Sequence, residues 1–203
     1  MNDLYRALGD ISTIRRQLAS TTEFRGYGPA TLAATGLMAL LAGVMQRFWV
    51  PDPARHISAY LSIWISTAVV CATLAGVQMY TRTRRMHSGL SNEMLRLAVE
   101  QFLPSVGAGL FLTIVVLHYV PAVSWMLPGM WQIIFGLGVF SSCRFLPRPM
   151  NAAGAWYVLT GLGCIAAGNG AFSPWAMGLP FGVGQLLVAA ILQLNASEDV
   201  DEV

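Results

Sequence analysis

Lysine does not occur in this 203-residue chain: all twelve basic residues are arginine, and with ten acidic residues they raise the charged share to only 11%. A soluble domain carries roughly 25% charged residues, so this scarcity argues against a water-soluble fold. The net charge is only +2, and a nucleic-acid surface would need a stronger, clustered basic surplus, so no nucleic-acid partner is expected. Cysteine is scarce as well. Of the three, Cys71 and Cys164 fall in apolar runs and Cys143 beside a basic turn, a pattern that does not form a disulfide framework. Catalytic signatures are missing too. The sequence has no nucleophile elbow, no HExxH, no phosphate-binding loop and no paired carboxylates within an apolar run, so an enzyme is not expected. Residues 1–28 lack the short apolar core of a signal peptide, and the start of the chain is expected to be retained.

What the chain has in abundance is apolar length. Hydrophobic residues make up 55% and the mean hydropathy is +0.57. Six apolar runs approach the roughly 20 residues that a helix needs to cross a bilayer: Pro29 to Phe48, Ile57 to Tyr80, Gln101 to Val120, Trp125 to Cys143, Ala152 to Phe172 and Trp175 to Leu194. Prolines at 51, 53, 121, 147, 149 and 174 and the polar segment 81–92 separate them, as residues that interrupt helices should. The expected fold is an all-α integral membrane protein, with a six-helix transmembrane domain over 29–195. Within residues 1–28, Leu4, Leu8, Ile11, Ile14 and Leu18 form one apolar stripe, and Asp3, Arg6, Asp10, Arg15 and Arg16 occupy the opposite face. This is an amphipathic helix suited to a membrane surface or a protein partner. The acidic tail 196–203 is expected to be disordered.

Arginine placement gives the orientation. Ten arginines, at 6, 15, 16, 25, 82, 84, 85, 96, 144 and 148, fall on one side of a six-span layout, and only Arg47 and Arg55 on the other. Because basic residues concentrate in cytoplasmic loops, both termini are expected in the cytoplasm, with the chain multi-pass in the cell inner membrane. Trp49, Tyr60, Tyr119, Trp125 and Trp175 then mark the outer headgroup level, and Trp64 and Trp131 sit deeper.

Helices in lipid associate through small residues that let backbones approach. Such residues recur at four-residue spacing: Thr35, Ala39 and Gly43; Ala68, Ala72 and Gly76; Thr160, Cys164 and Gly168; Gly178 and Gly182. Each set is a candidate seam.

Ionisable groups within a span are functional candidates by default, and here they are few. Glu100 and His118 bracket the third run eighteen residues apart, five helical turns and about 27 Å on one face. Between them that face carries Pro104, Gly107, Phe111 and Val115, none of which passes a proton. Glu100 with Arg96 and Glu93 forms an ion cluster along one helix face. As a transport or proton site it would open onto Gln101, Gln132, Gln185 and Asn169. His56 and His118, at the outer ends of their helices, are the candidate haem or metal ligands, although no second-sphere carboxylate accompanies them. Arg144 and Arg148 flank a tight basic turn suited to anionic lipid headgroups. No cofactor is expected apart from that haem alternative. The partners expected are the lipid bilayer and a membrane protein or a second copy of the chain. The leading functional expectation is a non-enzymatic accessory or regulatory component of a membrane assembly. The alternatives are a small-solute or proton transporter or channel and a haem- or quinone-linked subunit.

Overall fold

A computed structural model of the protein describes residues 28–85, 89–142 and 150–201; within these, the side chains of 82–85, 89–96, Ala98, Asn169, Leu192 and 194–201 are not described. The amphipathic segment expected within 1–28 and the arginines at 144 and 148 lie outside the described residues. Among the described residues every regular element is helical. The elements are α1 (Pro29–Trp49), α2 (Ile57–Arg85), α3 (Gly89–Tyr119), a 3-10 segment (Pro121–Met126), α4 (Leu127–Ser142), α5 (Met150–Ala166), a second 3-10 segment (Gly168–Phe172) and α6 (Pro174–Asp201).

Local chemistry sets most of the boundaries. Pro29 opens α1 after an extended Gly28 (φ −86°, ψ 126°), where the missing proline N–H costs nothing. Pro51 and Pro53 follow its end, and Pro121 follows the end of α3. Gly168 takes φ +57°, a conformation that ends α5 before the 3-10 turn and that side chains resist. Three helices outrun their apolar segments, because the hydrogen-bond ladder needs no apolar residue. α2 continues past Tyr80 to Arg85, and α3 begins at Gly89 rather than Gln101. α6 likewise runs beyond Leu194 to Asp201.

Among the described residues, five segments are long and apolar enough to cross a membrane: Pro29–Trp49, Ile57–Thr81, Val99–Tyr119, Pro121–Ser142 and Pro174–Ile191. α5, with 17 residues, spans only about 25 Å at 1.5 Å per residue. It is nevertheless packed along α4 and against α6, and the 3-10 segment that follows it packs on the 3-10 segment before α4.

The order of helices around the bundle is 2-1-6-5-4-3. α1 lies along α6 and α4 along α5, while α3 joins at α4, α2 at α1 and α5 at α6; α2 and α3 meet only sparsely. The tight pairs rest on glycine. A Cβ built on Gly129 would lie 2.6 Å from the Gly161 carbonyl oxygen, and one on Gly136 would lie 2.9 Å from that of Gly154. On α1, a Cβ at Gly36 would sit 3.0 Å from the Gly182 carbonyl and one at Gly43 would sit 3.1 Å from that of Pro174. Backbone therefore touches backbone at both seams. The Thr35, Ala39 and Gly43 stripe is buried as expected, and Gly178 and Gly182 face it. On α5 the seam runs through Gly154 and Gly161 rather than through Thr160 and Gly168. On α2, Ala68, Ala72 and Gly76 are all exposed, with nothing among the described residues within 4 Å of a Cβ at Gly76.

Apolar side chains fill the interior in layers. Tyr60, Trp64, Leu127, Phe172 and Met177 cluster near the end of the bundle that carries the turns 50–56, 120–126 and 167–173. Phe135 stacks edge-on with Phe102, Tyr157 and Phe181 further in. Leu32, Met79, Met150 and Val188 close the other end.

Candidate functional site

The interior holds polar side chains, and nearly all of them serve the backbone. Gln46 is fully buried on α1; its Nε2 donates to the Phe172 carbonyl at 2.8 Å, and its Oε1 accepts from Trp64 Nε1 at 2.8 Å. One amide thus joins α1, α2 and the turn before α6. Gln132, also fully buried, donates through Nε2 to the Ala176 carbonyl at 2.8 Å. That carbonyl is the one left without its ladder partner by Pro180, four residues on, which has no N–H. A freed carbonyl in hydrocarbon must find another donor, and α4 supplies it. The Pro180 carbonyl in turn accepts Trp156 Nε1 at 2.9 Å.

On α3, which carries Pro104 within the helix, the Ser141 hydroxyl of α4 donates to the Gln101 carbonyl at 3.4 Å. Trp131 Nε1 donates to Thr113 Oγ1 at 2.8 Å, and that hydroxyl donates to the Gly109 carbonyl at 2.7 Å. Both deep tryptophans are therefore held by interhelical hydrogen bonds.

These positions separate the residues singled out in the sequence. Glu100 and Gln101 are exposed on α3. Gln132 is in the bundle interior, and Gln185 is half-buried beside Tyr157. Asn169 belongs to the turn Gly168–Phe172 at the opposite end from Glu100, and its side chain lies outside the described residues. His56, just before α2, and His118, at the end of α3, are both exposed at the turn-bearing end; the His118 ring packs edge-on to Tyr119 at 4.7 Å. Among the described residues no three His, Cys, Asp or Glu side chains form a cluster that could hold a metal ion.

Three buried oxygens have no hydrogen-bond partner among the described residues: Tyr60 Oη, Gln132 Oε1 and Tyr157 Oη. The Cys164 thiol lies beside the Gln132 amide and near Tyr60 and reaches the Ala171 carbonyl at 3.9 Å. Hydroxyl, amide and thiol side chains make this a cluster of neutral hydrogen-bonding groups. Gln46, Tyr60 and Cys164 belong to no site motif in the sequence; the one signal there is Gln46, a lone amide in the last turn of the first apolar run. No family model, curated protein or solved structure matches the chain.

Proposed function

We propose that the protein is a non-enzymatic accessory component of a membrane assembly, joined to its partner through α2 and α3. The observation that carries this reading is the uneven covering of the bundle. Only 22% of the α2 span and 11% of the α3 span is buried, against 39% for α1 and 44% for α6. On α2, the exposed stripe Ala68, Ala72 and Gly76 has the small-residue spacing used for close helix contact, and among the described residues nothing lies within 4 Å of a Cβ at Gly76. The interior supports the same reading, since the N–H groups of Gln46, Gln132, Trp64, Trp131 and Trp156 donate to acceptors within the bundle rather than toward Glu100.

In this reading the chain crosses the cell inner membrane six times with both termini in the cytoplasm. The ten-to-two split of arginines supports the orientation. The packing of the two 3-10 segments on each other supports a crossing by α5, which then returns from the far end of α4. Co-isolation after crosslinking in native membranes tests the function. A discrete complex, hetero- or homo-oligomeric, is expected, and a strictly monomeric chain that captures nothing would remove the proposal.

A transport reading draws its support from the unpartnered Tyr60 Oη and Gln132 Oε1. It requires Glu100→Gln to abolish flux in liposomes without unfolding the protein, and unchanged flux would remove Glu100 from it.

A further inference from the structure

The turn-bearing end carries a cleft of about 280 Å³ between the end of α1 and the start of α6. Its floor is the Gln46–Phe172 contact, fixed by the two hydrogen bonds of the Gln46 amide. Its walls are prolines at 51 and 174, and its polar groups are Arg47 and Ser173. We propose that this cleft binds a phosphate-type anion, carried by a lipid headgroup or free in solution.

Charge argues for it first. Arg47 is exposed and makes no ion pair with any described residue. Asp52, the one acidic residue between α1 and α2, is 3.2 Å from Arg55 instead. A guanidinium presents a planar fork of donors that matches phosphate oxygens. Ser173 supplies a second donor: its hydroxyl has no partner among the described residues, and its backbone (φ −55°, ψ 138°) leads straight into Pro174 at the first position of α6. The 28-residue α6 begins at the cleft, so its positive end adds to the field of Arg47. The size fits a headgroup, lying just under the ~300–1,000 Å³ of pockets that enclose drug-sized ligands. Phe48, Trp49 and Trp175 beside it are 76%, 71% and 46% exposed, the amphipathic and apolar rings that settle at headgroup level.

The test is the thermal unfolding midpoint of the full chain in neutral detergent, titrated with phosphatidylglycerol, with inorganic phosphate and with uncharged diacylglycerol. Phosphatidylglycerol is expected to raise the midpoint of the wild type and of Arg55→Gln. Arg47→Gln is expected to weaken the half-effect concentration roughly tenfold or more, and Ser173→Ala severalfold, as loss of charge-assisted hydrogen bonds should. A matching rise with inorganic phosphate identifies a free anion as sufficient; a rise with phosphatidylglycerol alone identifies the headgroup. No rise with either anion overturns the proposal. So does a wild-type response in Arg47→Gln, an equal loss in Arg55→Gln, or an equal rise with diacylglycerol. If Arg47→Gln does not fold, the Ser173→Ala titration decides on the same criterion.

Discussion

The paired helices α1 with α6 and α4 with α5 differ from the flanking α2 and α3 in one property: how closely backbone meets backbone. At Gly129 and Gly136 the next helix leaves no room for a methyl group, whereas at Gly76 and Gly107 nothing among the described residues lies within 4 Å of one. The same residue type therefore has opposite meanings in one chain. In the pairs glycine is a structural requirement of the fold. On the flank it leaves an open helix face, and an open face with small-residue spacing is available to another helix.

The largest expected effect breaks this contrast directly. Gly129→Leu and Gly136→Leu should cost more than about 3 kcal/mol and prevent recovery of monodisperse protein, because the side chain must displace a backbone carbonyl. Gly76→Leu should lie within about 0.5 kcal/mol of wild type or stabilise the chain, leucine being the better helix former. Equal outcomes in a detergent unfolding assay would dissolve the distinction.

Next comes Gln46→Leu, which leaves both the Trp64 N–H and the Phe172 carbonyl unpaired. A loss of about 2 kcal/mol is expected from two unmet buried groups, read by the same assay. The effect of Gln132→Leu depends on Pro180. In a double-mutant cycle with Pro180→Ala, which restores an N–H to the Ala176 carbonyl, the two changes should couple by about 1 kcal/mol. Additive behaviour would mean that Gln132 does not repair the proline gap. Ser141→Ala should cost the least, about 0.5 kcal/mol or less, since its bond to the Gln101 carbonyl is long and interhelical bonds in lipid average about 0.6 kcal/mol.

Much of the architecture is legible in the sequence because it rests on local rules. Apolar length marks the spans, and Pro51, Pro53 and Pro121 mark their ends. Facing is not local. The stripes at Thr35 and at Ala68 have the same spacing, yet one is buried and the other exposed, since helix order in the bundle decides which neighbour each meets. Gln132 shows the same limit. Proline 180 announces that the Ala176 carbonyl needs a donor, but only the fold brings α4, 44 residues earlier in the chain, to supply it. The cleft at Arg47 is not legible in the sequence for a related reason: its walls come from the end of α1 and the start of α6, more than 120 residues apart, which the pairing of those helices brings together.

The most direct test of the open-face account is a photo-crosslinking side chain placed at Ala72 on α2 and, separately, at Leu159 on α5, which is 67% exposed. In native membranes, position 72 is expected to yield a protein adduct of discrete mass and position 159 to label lipid alone. Lipid labelling at both positions would contradict the account.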